Sequence, residues 1–296
     1  MSAEPTGAGV RDWLVRNLLS LTSLAPLSVE RHARYMVCHR RPGHLRHPNT
    51  FSEKVNWRIL HDRRPLLADT CDKLRAKAMA ERLGIAVPKT LWFGTDVAEL
   101  SGIALPDRWV VKPNHGSGHV YFGQGAVPDV RQLSEATRGW LTPSVAERSG
   151  EWAYSRARRL LLVEERLGAG DEAPVDYKFF MFDGEPSIIS VEVDRISNWC
   201  RRVYTPDWGP LPVRLGLGGK IRPLADVTPE PSTLPALLHA ASVLSQGFDF
   251  IRVDLYSEAG TVYFGELTPY PAGGLARYWP REFDLELGSR WRLPSL

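Results

Sequence analysis

Four residues near the C-terminal end have the types and spacing for phosphoryl chemistry. In "FIRVDLYSEAGTVYFGELTPY" two alternating runs flank Ala259 and Gly260, the pattern of a β-hairpin. With a turn of Ala259, Gly260 and Thr261, Glu258 pairs with Val262, Tyr256 with Phe264, Asp254 with Glu266 and Arg252 with Thr268. Alternation then puts Arg252, Asp254, Glu266 and Thr268 on one face, and Ile251, Val253 and Leu255 on the other. Directly opposed carboxylates have Cβ atoms about 4.5–5.5 Å apart and repel unless a cation lies between them. A hard divalent cation with oxygen ligands resolves the repulsion, and Mg²⁺ usually takes one or two carboxylates together with substrate phosphates. The plainer alternative is a solvated edge on which Arg252 neutralises the acids.

Candidate phosphate-binding groups lie upstream. "VVKPNHGSGH", residues 110–119, is a strand end, a lysine and a small-residue loop, without the GK[ST] ending or following helix of a Walker A loop. Lys112 sits at the mouth of that loop, where the N–H groups of His115, Gly116, Ser117 and Gly118 can form an anion nest; an ordinary hairpin turn is the alternative. The chain is arginine-biased, so each of its few lysines stands out. Lys73 opens a helix directly after Cys71 and Asp72, where positive charge opposes the helix dipole. Lys178, flanked by Tyr177, Phe179 and Phe180 in an aromatic strand, needs solvent or an anion. "LLVEERLG" ends a buried-type run with Glu164 and Glu165. It reads either as a strand ending in solvent or as a hinge whose backbone and acids meet an adenine and a ribose between two lobes.

The elements needed to hold these groups are legible too. Residues 11–40 carry helical periodicity and run into "RRPGHLRHPNT", where Asn49, Thr50 or Ser52 can cap the helix "FSEKVNWRILHD". "DKLRAKAMAERL" is a helix stopped by Gly84, and "AVPKTLWFG", "RWVVK" and "HVYFG" read as strands. Residues 129–160 return to a helical pattern, broken at Pro143 and Gly150. The second half is strand-rich: "VDYKFFMFDGEPSIISVEVD" makes two strands around Asp-Gly, "PSTLPALLHAASVLSQG" a helix, and the hairpin follows. The expected fold is mixed α+β, with a helical segment over 1–70, a first lobe over 71–165 and a second over 166–296.

At 296 residues, 43% hydrophobic and 24% charged, the chain has room for two lobes. Its net charge of +3 comes from both signs spread along the chain rather than from a basic stripe, which argues against nucleic acid. Cys38, Cys71 and Cys200 are far apart with no metal-ligand spacing, which predicts a reducing cytoplasm and no structural zinc. The apolar stretch of "RDWLVRNLLSLTSLAPLS" is broken by Arg16 and Asn17 and is too short to span a bilayer, so a surface helix without stable membrane insertion is expected.

Taken in order, CDKLRAK, WVVKPNHGSG, LLVEERL, DYKFF, RVDL and FGELT resemble the ATP-grasp fold. The first two segments are similar to D-alanine:D-alanine ligase, and the chain from about 35 to 280 resembles the TupA-like ATP-grasp family, named for teichuronopeptide synthesis. The resemblance implies two lobes of mostly antiparallel sheet with ATP between them. It implies that Lys73 and Lys112 contact ATP phosphates under the 116–118 loop, and that Glu164 and Leu167 hold the adenine. Asp171 would sit at the ribose, and Lys178 would reach the nucleotide from the second lobe. Asp254 and Glu266 match the Mg²⁺ ligands and Arg252 the group that steadies the developing oxyanion. The family usually carries Asn where this chain has Thr268, which weakens a second Mg²⁺ site. Residues 1–70 are also too short for the α/β domain that precedes many such ligases.

The resemblance further implies a ligase that activates a carboxylate on the γ-phosphate of ATP, releases ADP and passes the acyl group to an amine. Its substrates would be small acids and amines of amino-acid, peptide or uronic-acid type, for cell-surface polymer or peptide natural-product synthesis. Arg195, Asn198, Arg201 and Arg202 suit an acidic substrate, or else form a solvated basic loop. A kinase on the same fold and a non-catalytic nucleotide-binding protein are the competing functions.

Overall fold

The computed structural model describes residues 25–127, 129–168, 174–193, 199–216, 222–223 and 228–296. Four helices come first: α1 (Leu27–His39), α2 (Phe51–His61), α3 (Pro65–Cys71) and α4 (Lys73–Arg82). Of the three residues able to cap α2, Thr50 does so: its hydroxyl accepts from the Glu53 N–H while the Glu53 carboxylate accepts from the Thr50 N–H. Asp72 separates α3 from α4 and caps the latter, accepting from Arg75 N at 3.0 Å. Its second oxygen accepts from Arg158 Nε at 2.8 Å.

Next come β1 (Thr90–Gly94), β2 (Arg108–Pro113), β3 (Tyr121–Gln124), the short helices α5 (Val130–Ala136) and α6 (Val145–Arg148), and β4 (Leu161–Glu165). The four strands form an antiparallel sheet in the order β1-β4-β2-β3. The remainder is β5 (Asp176–Phe182), β6 (Glu185–Val193), β7 (Cys200–Tyr204), β8 (Arg214–Gly216), β9 (Arg222–Pro223), α7 (Leu234–Leu244), β10 (Phe250–Glu258), β11 (Thr261–Thr268), β12 (Arg277–Trp279) and α8 (Arg281–Arg290). A six-stranded sheet has the order β11-β10-β5-β6-β7-β9, antiparallel except between β7 and β9, and β8 pairs with β12.

The core of the six-stranded sheet is built on its apolar face. Tyr177, Phe179 and Met181 of β5, Ile189 and Val191 of β6, and Ile251, Val253 and Leu255 of β10 are all buried there. On the opposite face, which carries Arg252 and Lys178, Phe51 of α2 packs against the rings of Phe180, Phe182 and Phe250, and Val55 and Ile59 of α2, Leu67 of α3 and Ala76 and Ala80 of α4 belong to the same continuous buried cluster. The chain therefore has no break in packing at residue 70. The helices before the first sheet are a layer of the larger sheet's core, because their apolar stripes have nothing else to cover.

The hairpin of β10 and β11 keeps its expected pairing by a different route. Its turn has two residues rather than three, Ala259 and Gly260, with φ of 49° and 79° as a two-residue hairpin turn requires. Tyr256 thus faces Tyr263 rather than Phe264, and Glu258 faces Thr261 rather than Val262. A β-bulge at Gly265 then absorbs one residue of β11, and Asp254 again faces Glu266 and Arg252 faces Thr268. A Cβ on Gly265 would stand 2.9 Å from the Asp254 carbonyl oxygen and 2.8 Å from the Tyr256 ring. Gly265→Val is expected to lower the free energy of unfolding by about 1–3 kcal/mol. Urea denaturation with an unchanged midpoint would show that the bulge does not need glycine.

Candidate active site

A cavity of about 600 Å³ lies between the two sheets. One wall carries Lys73, Lys77, Lys112 and the glycine loop, and the other carries Asp176, Asp254, Tyr256 and Glu266. The loop joins β2 to β3 and starts at the buried Asn114, which fixes it on four sides. The Asn114 N–H donates to Leu160 O at 2.8 Å and its Nδ2 to Arg158 O at 2.9 Å. Its carbonyl accepts from Lys73 N at 3.2 Å and its Oδ1 from Leu74 N at 2.9 Å, so the loop root and the start of α4 are stitched together.

Beyond Asn114 the backbone turns through positive φ, 92° at Gly116 and 89° at Gly118, values open to glycine that let the loop bend tightly. A Cβ on Gly116 would meet Ser144 Cβ at 2.7 Å. Gly116, Ser117 and Gly118 line the cavity, whereas His115 does not. Its backbone pairs with Asp72 and its buried ring turns to Thr142, with Nε2 3.0 Å from the carbonyl oxygen. The cavity is met instead by His119, stacked on Trp140 at 5.2 Å.

The three lysines are held differently. Lys73 Nζ donates to Gly116 O at 2.5 Å, and burial lowers its pKa against the opposing pull of Glu266. Lys112 and Lys77 both pair with Glu164, the latter at 3.0 Å through the second carboxylate oxygen. Lys77 is fixed further by Pro88 O at 2.5 Å and Thr90 Oγ1 at 2.8 Å. Glu164, expected at the adenine, thus spends both side-chain oxygens on lysines. Burial opposes its charge, yet the two ammonium groups hold its carboxyl below the ordinary range. Lys77 stands out in the sequence only as one of few lysines in an arginine-biased chain; the fold places it against Glu164. Glu165 and Leu167 line the cavity beside it, and Glu165 also accepts from Lys89 N at 2.8 Å. Asp171 lies outside the described residues.

The opposite wall is one face of the six-stranded sheet. Register aligns Asp254 with Lys178 and Ser190, and Tyr256 with Asp176, Glu192 and Arg201. Arg252, Lys178 and Arg201 therefore share that face with Asp254, Glu266, Asp176 and Glu192, one carboxylate in excess. Lys178, expected on the nucleotide, does not line the cavity. Its ammonium lies 2.6 Å from Asp176 and 2.7 Å from Asp254, so the anion it needed is supplied by the protein itself. Arg252 grips both oxygens of Asp254 at 2.7 Å and donates to Thr268 Oγ1 at 3.0 Å. Burial disfavours the charge of Asp254, but Arg252 and Lys178 keep it ionised. Thr268 is buried behind Arg252 and does not line the cavity.

Among the substrate candidates, Arg201 is bound to Glu192, through Nε at 2.9 Å, and to Leu215 O. Arg202 pairs opposite Val191 and is on the other face. Arg201 and Arg202 therefore do not share one face, and Arg195 and Asn198 lie outside the described residues.

The donor set fits a shared metal rather than a protein cage. No group of three His, Cys, Asp or Glu residues is placed to hold a metal among the described residues. Mg²⁺ needs only one or two carboxylates when phosphates complete its shell. Glu266 lines the cavity with no hydrogen-bond or ion-pair partner among the described residues, opposite Asp254. An orphan acid beside a neutralised one is what such a cation requires.

Two mostly antiparallel sheets that close on one cavity, with Lys112 and a glycine loop from the first, Lys73 and Lys77 from α4 beside it and carboxylates from the second, define an ATP-grasp protein. The chain belongs to the TupA-like ATP-grasp family, whose model matches residues 53–292. Among solved structures it is similar to D-alanine–D-alanine ligase from Bacillus anthracis complexed with ATP, at 16% identity over 68% of this chain and 54% of that one, TM-score 0.37. For D-alanine–D-alanine ligase from Helicobacter pylori the figures are 16%, 75%, 61% and 0.44. For L-amino acid ligase from Bacillus licheniformis they are 16%, 92%, 56% and 0.44. The chain thus spans little more than half the length of these proteins. No curated protein matches it. No described helix is long and apolar enough to cross a membrane.

A second buried group had no signal in the sequence. After β11 the chain turns through Ala272, Gly273 and Gly274 with φ of 49°, 58° and 67°. Arg31 donates to the Gly273 carbonyl and Asn56 Nδ2 to Gly274 O at 2.9 Å. Glu151 lies against this turn, and burial pushes its carboxyl up to about 7, against the pull of Arg31.

Two expectations follow. Lys77→Met should lower turnover about 10–100-fold, the cost of misplacing a group by a fraction of an ångström, without removing a cavity contact of Lys112. Unchanged kinetics would show that Glu164 holds Lys112 unaided. Because the folded-state pKa of Glu151 is raised from 4.5 to about 7, its favourable contribution is complete below pH 4.5 and is lost as pH rises towards 7. Glu151→Gln should therefore gain stability over the parent above pH 7 and lose that advantage at low pH, measured by denaturation at a series of pH values.

Proposed function

We propose that the protein is an ATP-dependent ligase that joins a carboxylic acid to an amine, with ADP and phosphate as the other products. The observation that carries this reading is the division of the cavity. Lys73 and Lys112 and the glycine loop at 116–118 stand on one side, and Asp254 with Glu266, which has no partner among the described residues, on the other. That arrangement suits a triphosphate, and phosphoryl transfer to a substrate carboxylate requires positioning and charge neutralisation above all.

On this reading Lys73 and Lys112 hold the phosphates, and the backbone of 116–118 covers them. Glu165 and Leu167 border the base. Asp254 and Glu266 would hold magnesium, which supplies neutralisation of the phosphate charge when bound. Arg252, fixed by Asp254 and Thr268, does not itself line the cavity; on this reading its charge would act from beside Asp254 on the negative charge that develops as the substrate carboxylate attacks the γ-phosphorus and the ADP oxygen departs. The amine then attacks the acyl carbon, phosphate leaves and the amine gives up a proton. Closure of the 116–118 loop keeps water from the acyl phosphate. The acid and amine are small molecules of amino-acid, peptide or uronic-acid type, in cell-surface polymer or peptide natural-product assembly on the cytoplasmic side; the sequence resemblance supports that assignment.

The test is incubation of the protein with ATP, magnesium and candidate acids, with and without amines. ADP should form, stable product should need the amine, and hydroxylamine should trap a hydroxamate. A stable phosphorylated product without amine would indicate a kinase, and AMP as product would overturn both. Glu266→Gln removes a carboxylate that has no hydrogen-bond or ion-pair partner among the described residues, and gives up only its longer-range pull on Lys73 and Arg252. It should leave the melting temperature unchanged or raised while lowering turnover roughly 10²-fold or more. Full activity in that variant would sink the proposed role of Glu266.

A further inference from the structure

A second cleft, of about 450 Å³, lies on the helical layer between α3, α4 and the 3-10 turn Trp152–Arg156. It shares no lining residue with the nucleotide cavity. Arg63, Arg75 and Arg156 converge on it, with Asp69 as the single acid and Trp152 and Pro65 as apolar surface. Helix α4 serves both sites: Lys73 lines the nucleotide cavity, and Arg75, two residues on and so on the other side of the helix, lines the cleft.

The three guanidinium groups are held to different degrees. Arg63 is preset by the end of α2: its Nη1 donates to the carbonyls of Ile59 and Asp62 at 3.0 Å and its Nη2 to that of Leu60 at 3.2 Å. It stands over the Trp152 ring at 5.8 Å. Arg75 is steadied by Asp69 at 3.0 Å. Arg156 has no hydrogen-bond or ion-pair partner among the described residues. Neither Arg63 nor Arg156 thus has a carboxylate of its own in the cleft, and like charges gathered in a concave surface raise the local potential for anions.

We propose that this cleft is a second binding site, for a ligand bearing a phosphate or carboxylate group. The guanidinium forks suit either oxyanion, since both offer paired oxygens to parallel N–H donors. The volume exceeds what a bare anion fills and is in the range of small-molecule sites, so the ligand has a carbon body that lies along Trp152 and Pro65. The site stands independently of the reaction assigned to the nucleotide cavity.

Calorimetric titration of the full chain with inorganic phosphate and with tricarballylate tests the proposal, with glycerol as the neutral control. Each titration is run with and without saturating magnesium–ADP. At least one of the two anions should bind with a dissociation constant of about 1 mM or tighter, and the one that binds identifies the oxyanion. Arg156→Ala, an exposed change, should weaken that binding about tenfold, as loss of one charge-assisted hydrogen bond does, and Arg75→Ala should do likewise. Affinity for magnesium–ADP should stay the same in both variants. No binding of either anion, affinity unaltered in both variants, or displacement of the anion by magnesium–ADP would overturn it.

Discussion

Asp254 and Glu266 face one another across two paired strands, and much of the site is arranged around that repulsion. The protein settles only half of it. Arg252 and Lys178 neutralise Asp254 from both sides, while Glu266 is left to the cavity. Neighbouring charges follow suit: Lys178 is divided between Asp254 and Asp176, and Glu192 is taken by Arg201. A face with one carboxylate in excess is poor as a structural network, since buried ions are costly unless fully matched. It is apt as a seat for a cation brought in with a polyanion.

The lysine wall shows the complementary solution. Glu164 sits between Lys77 and Lys112, so the acid that neutralises the pair also spaces them. Its worth is positional, because two ammonium groups and one carboxylate removed from water contribute little net stability. What they contribute is a fixed direction for Lys112, with Thr90 and Pro88 anchoring the far end through Lys77.

How much of this was legible in the sequence depended on periodicity. Alternation placed Arg252, Asp254, Glu266 and Thr268 on one face correctly, although the turn was taken one residue too long. The bulge at Gly265 restored the register, because the two-residue turn and the extra bulge residue sum to the same offset. The glycine loop between β2 and β3 was readable from composition. Side-chain partners were not: Glu164 could not be matched to Lys77, Lys178 to Asp176, or His115 to Thr142 without the third dimension. The same limit hid Asn114, an ordinary loop residue by type, and the three arginines of the second cleft, which come from three separate segments.

Asn114 also sets the mechanical scale of the loop. Its bonds to α4 and to the segment before β4 pin the near end, and Val111 paired with Tyr121 pins the far end. Only the residues between can swing, a span too short for a domain-like closure. The loop is therefore built as a latch rather than a door: any movement of it is confined to the few residues that line the cavity.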